Sequence, residues 1–138
     1  MVNSYTNTSQ TISTNGTIDF NNNSIRNNCV TNHSAGTSTF TLKKSGYYYV
    51  TFNGTGATNA ATAGTVAVQL QNNGVAVPGA TSSATSASTT DLVAISFNTI
   101  IRVLPCCSAI DNTTNLTFVN TGEEAVFNNV NVTIRKIA

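Results

Sequence analysis

The sequence predicts an all-β sandwich or jelly roll, and three observations predict it. Charged residues are only 8% of the 138, against roughly 25% in an ordinary soluble domain; Asn, Thr, Ser, Ala, Val and Gly take their place. These β-branched and uncharged polar residues suit sheet surfaces and turns, and almost no segment carries Glu, Lys and Leu at helical spacing. Short alternating apolar runs recur with turn signals about every 8–12 residues, which gives about eight to ten strands. The length and the 40% hydrophobic content fit one domain with its own core.

Along the chain, residues 1 to about 16 are polar and aperiodic, as an arm would be. Thr17-Ile18-Asp19-Phe20 alternates, Ile25 to Val30 offers a second short strand, and Thr37 to Leu42 aligns Phe40 with Leu42. Lys43-Lys44-Ser45-Gly46 turns into Tyr47-Tyr48-Tyr49-Val50-Thr51-Phe52, which holds three of the four tyrosines. A strand sends successive side chains to opposite faces. Tyr48, Val50 and Phe52 therefore share one face, read as core, and Tyr47, Tyr49 and Thr51 the other. That second face also needs a cover, and a chain this short has no second domain to supply it; another copy of the chain is the expected cover.

Val66, Val68 and Leu70 form the next core stripe, and Asn72-Asn73-Gly74 turns the chain because Asn-Gly accepts positive φ. Val75 to Val77 runs back and is expected to stop at Pro78, with Thr81–Thr90 an exposed loop or extended edge. Val93, Ile95 and Phe97, then Ile101 and Val103, follow on a long apolar stretch. Leu116 with Phe118, and Val130, Val132 and Ile134, supply the last two strands.

Chemistry finds few carriers. The single histidine, His33, is read as a surface loop residue, and no Gly-x-Ser-x-Gly elbow occurs. Asp19, Asp91, Asp111, Glu123 and Glu124 fall mostly in turns. Net charge is +1, and the basic pairs Lys43-Lys44 and Arg135-Lys136 form no stripe for nucleic acid. Three cysteines make no disulfide framework. Cys29 is expected to be buried. Cys106-Cys107 lacks the usual zinc spacing, so one of the pair is read as a small buried apolar residue; on a threefold axis both are candidate interchain thiols. No apolar run approaches the ~20 residues of a membrane span, and MVNSYTNTSQTIS has no basic or apolar leader segment. A cytoplasmic chain, or one reaching a surface without the Sec route, is expected.

The order of these motifs resembles the tumour-necrosis-factor/complement-globular-head superfamily, in which a Gly-x-Tyr-x-Phe-like strand is the commonest landmark. The closer likeness is to its bacterial and phage branch: the C-terminal domains of collagen-like exosporium glycoproteins, and small proteins of Firmicutes, their prophages and gut phages. It is carried by Tyr47 to Asn53, Leu70 to Gly79 (LQNNGVAVPG), Cys106-Cys107, Leu116 to Gly122 (LTFVNTG) and Val130 to Ile137 (VNVTIRKI), within residues 37–138. The resemblance implies a ten-strand, TNF-like jelly roll assembling as a homotrimer. It places Tyr48, Val50, Phe52, Val66, Val68, Leu70, Phe118 and Val132 in the core, and Tyr47, Tyr49 and Thr51 at the trimer interface. Residues 1–36 remain as a separate attachment arm for capsid or other virion proteins.

The expected function is a non-enzymatic structural trimer at a virion surface: a capsid decoration, head fibre or tail-associated tip. A spore-exosporium or cell-surface trimer is the alternative on the same fold. A module binding a host-surface glycan or receptor through Thr81–Thr90 is another, although Tyr5, the one tyrosine outside the cluster, offers little of a sugar-stacking platform. No cofactor, metal, nucleic acid or membrane partner is expected.

Overall fold

The computed structural model describes residues 1–26, 29–105 and 114–138. Among these residues the chain forms strands and no helix, in two antiparallel sheets packed as a jelly-roll sandwich. Cys106 and Cys107 lie outside the described residues.

The front sheet runs β3 (Asn22–Ile25), β1 (Val2–Thr6), β11 (Ala125–Lys136), β6 (Gly46–Thr58) and β9 (Val93–Val103), and β2 (Gln10–Ile12) adds to β11 beyond β1. The back sheet runs β4 (Thr31–Asn32), β5 (Phe40–Leu42), β10 (Thr114–Asn120), β7 (Gly64–Asn72) and β8 (Val75–Ser86). Alternation decides what enters the space between them. Tyr48, Val50 and Phe52 of β6, Val66, Val68 and Leu70 of β7, Phe118 of β10 and Val132 of β11 are all fully buried. The Tyr48 hydroxyl donates to the Lys44 carbonyl at 2.6 Å, so its polar end is satisfied.

Phe118 sits at the centre of an aromatic cluster. It stacks on Phe52 at 5.3 Å and meets Phe20 and Phe40 edge-on at 5.7 and 5.9 Å. Such pairs add to the area they bury.

Two turns follow their local chemistry. Asn73 and Gly74 have φ of 50° and 82° and join β7 to β8. Gly46, at φ 136°, lets the chain end lie against the start of β6: a Cβ there would sit 2.3 Å from the Ala138 carbonyl oxygen, which accepts from the Tyr47 N–H.

The first 36 residues are not a separate arm, which corrects the expected division at residue 37. β1 is an interior strand, paired with β11 from Val2↔Ile134 to Thr6↔Val130 and with β3 on its other side. After β2 the chain crosses to the back sheet, where the Ile18 N–H donates to the Phe118 carbonyl, and Ile18 and Phe20 plug the core at full burial. Deleting residues 1–6 would take Val2 out of the core and leave β11 without its β1 partner. The truncated chain is expected to be insoluble or to lack a cooperative thermal transition; a soluble, cooperatively melting product would contradict this placement.

Three smaller expectations are also corrected. Cys29 is exposed. Ile25 to Val30 is not one strand: β3 ends at Ile25 and β4 begins at Thr31. The chain does not stop at Pro78, because β8 continues to Ser86 as an edge strand, where a residue without an N–H is tolerated. Ser86 is buried and closes the turn into β9: its hydroxyl accepts from the Thr58 N–H at 3.1 Å and reaches the Asp91 carbonyl at 2.8 Å.

Candidate functional site

The outward side chains of the front sheet fall into cross-strand rows. Arg135, Tyr49 and Ile100 are direct partners on β11, β6 and β9, and Tyr47 pairs with Arg102 beside them. Tyr47 is 43% exposed and Ile100 55% exposed, while Tyr49 and Thr51 are half-buried. Each tyrosine carries a guanidinium over its ring, Arg102 at Tyr47 and Arg135 at Tyr49, both 5.7 Å from the centroid. These arginines cover part of the aromatic surface while keeping their charge in water.

The apolar surface continues around the edge. A recess of about 250 Å³ lies between the β7–β8 turn and the end of β9, lined by Val75, Val77, Pro78 and Ile100 among others. Val75 is 69% exposed. Tyr47 and Tyr49 on the face thus meet Ile100, which belongs to the recess on the edge. β8 and β9 are the edge strands of their two sheets on this side, and unpaired edges are surfaces that proteins cover. Isolated exposed apolar residues need no explanation, but a continuous patch does. The expected interface residues Tyr47, Tyr49 and Thr51 lie on one outward face; sequence reading missed Ile100 and Val75, which join it only through the register of β9 and the fold-back of β8.

His33 corrects the reading of a surface loop residue, being only 1% exposed. It stacks on Phe40 at 4.2 Å. Its Nε2 donates to the Thr37 carbonyl at 2.9 Å, and its Nδ1 lies 3.2 Å from the Ser4 hydroxyl and 2.7 Å from Asn23 Oδ1. The Ser–His pairing invites comparison with an activated nucleophile, but Ser4 is fully buried and substrate has no route to its oxygen. The cluster instead ties β1, β3 and the β4–β5 connection together.

Burial holds the His33 pKa below the usual 6.5, with the Arg26 charge adding and the Thr37 carbonyl opposing. The unfolded chain therefore takes up a proton near pH 6.5 that the folded chain refuses. Stability is full above that value and falls as pH drops below it, towards the folded pKa. Thermal melts are expected to show a lower Tm at pH 5 than at pH 7.5. His33→Gln is expected to lower Tm at both pH values and flatten the difference. An unchanged pH dependence in that variant would remove His33 as its source, since the chain has no other histidine.

Among the described residues no group of three or more His, Cys, Asp or Glu could hold a metal, and no helix is long and apolar enough to cross a membrane.

No protein-family model matches this sequence, and no curated protein matches it in sequence. Several solved structures show distant similarity, among them these two. PRD1 vertex protein P5 aligns at 18% identity with a TM-score of 0.44, over 99% of this chain and 96% of its own. CBM35 from Cellvibrio japonicus Abf62 aligns at 11% identity with a TM-score of 0.33, over 95% and 99%.

Proposed function

We propose that this chain is a non-enzymatic structural protein that assembles as a TNF-like homotrimer, and that it is a surface component of a phage particle. One observation carries the assembly: the exposed apolar patch that runs from Tyr47 and Tyr49 on the front sheet, through Ile100, to Val75 and Val77 on the β8–β9 edge. A patch with a face part and an edge part suits a head-to-tail contact, in which the edge of one copy covers the face of the next. Such contacts make a ring when their rotation closes, and in a ring of three every copy's tyrosine face and β8–β9 edge would be covered. The two antiparallel sheets of the sandwich support the jelly roll that the sequence resemblance implies. The phage setting is supported by that resemblance to proteins of prophages and gut phages.

With β1 locked inside the front sheet, attachment to the particle falls to exposed surface rather than to an N-terminal arm. A spore or cell surface is the alternative setting. An antibody raised against the folded chain separates the two. Labelling of intact phage particles supports the proposal, whereas labelling of spores or cell walls, with particles bare, overturns the phage setting and leaves the assembly standing.

A further inference from the structure

The front sheet changes character along its strands. Beyond the tyrosine end, its outward rows become Tyr5–Asn131–Asn53–Ser96 and then Asn129–Thr55–Ala94. These rows line an open groove of about 510 Å³ with no charged residue in its wall. A second recess, lined by Thr51, Ser96 and Asn98 among others, shares Asn53 with it and extends it along the sheet. Asn53 lies four residues along β6 from Tyr49, about 13 Å away at the rise of a strand. A contact at the tyrosine end leaves the groove room to stay open.

Part of the groove's hydrogen-bonding capacity is unspent. The side chains of Asn53, Ser96 and Asn129 and the Tyr5 hydroxyl make no hydrogen bond to other described residues. Asn131 and Thr55, by contrast, are engaged by Asn3 and Asn128. Carboxamides and hydroxyls offer both donors and acceptors but no net charge. Phosphates and carboxylates therefore find no counter-charge here. β11 and β6 are paired on both sides, and only β9, at the rim of the groove, has a free backbone edge, so a peptide is the competing ligand that the test has to separate. The half-buried ring of Tyr5 supplies a flat apolar wall beside these groups. Few convergent polar groups beside an aromatic surface are the usual makeup of a small-molecule site, and these fit a ligand rich in neutral hydroxyls.

We infer that this groove binds a neutral saccharide, with Tyr5 stacking on a sugar ring and Asn53, Ser96 and Asn129 bonding its hydroxyls. The site differs from the Thr81–Thr90 segment expected from sequence, and it does not rest on the trimer, since a monomer would keep the groove. The test is an array of neutral oligosaccharides, followed by amide NMR with the sugars that bind. The signals of Asn53, Ser96 and Asn129 are expected to shift. Tyr5→Ala and Asn53→Ala are each expected to weaken binding at least about tenfold, Tyr5→Phe to keep most of it, and all three to leave solution mass and Tm unchanged. Three results would overturn the inference: no neutral sugar moving those signals, binding confined to acidic sugars or uncharged peptides, or binding unaltered in Tyr5→Ala and Asn53→Ala.

Discussion

Tyr49→Glu is expected to dissociate the assembly into folded single chains. The Tyr49 side chain points away from the core, and its direct partners are Arg135 and Ile100, so a carboxylate there leaves the sandwich intact. In the proposed assembly the same carboxylate would be buried against apolar surface of a neighbour. Losing a central aromatic anchor costs about 2–4 kcal/mol per contact, or roughly 30- to 1000-fold in affinity, and a closed trimer contains the contact three times. Sedimentation should show one-chain particles with an unchanged far-UV spectrum. Ile100→Glu should act alike from the β9 side. Thr117→Ala, on the outer face of the back sheet, is the control that should keep the parent mass. If Tyr49→Glu and Ile100→Glu both left the mass unchanged, the tyrosine face would not be the contact.

The second large effect is on the fold. Phe118→Ala removes the ring that touches Phe20, Phe40, Phe52 and Phe97. Truncating a buried phenylalanine costs about 3–5 kcal/mol, a large share of the roughly 5–15 kcal/mol that holds a domain together. A fall in Tm of about 10–15 °C is expected. Thr117→Ala, one residue away but facing outward, should stay within about 0.5 kcal/mol of the parent. A cost below about 1 kcal/mol at Phe118 would mean that the core repacks around the gap, and that the cluster is not what joins the two sheets.

The strands that were legible in the sequence are those whose inward positions are apolar. Tyr48, Val50 and Phe52, like Val66, Val68 and Leu70, alternate cleanly because burial selects them directly. β1 was not legible for the opposite reason: its inward residues after Val2 are Ser4 and Thr6, which mimic a polar arm. They are tolerated inside because their hydroxyls are satisfied, Ser4 through the Asn23–His33 pair and Thr6 by donating to the Asp19 carbonyl. Those partners lie 13 to 29 residues away in sequence, beyond any periodicity. The same distance hid His33, whose neighbours assemble only after β1, β3 and β5 meet.

β8 was half legible. Val75 to Val77 alternates, but Thr81 to Ser86 is built of small polar residues whose place in the sheet comes from backbone pairing with β7. Asn120 shows the limit from another side. It closes the LTFVN run as though in a turn, yet it is fully buried, and its amide donates to the Ile12 and Glu123 carbonyls at 2.9 Å. At the candidate site, the outward tyrosines could be read from strand parity alone. The edge that continues their patch, and the groove that gives Tyr5 a setting, depend on strand register.

The central claim is that copies of this chain cover one another's tyrosine faces, and its most direct test is the solution mass of the intact protein by light scattering, with and without reductant. The account predicts a mass near three times 14.4 kDa in both conditions. A single-chain mass would contradict it, and a mass that collapsed on reduction would place the contact on thiols rather than on Tyr47 and Tyr49.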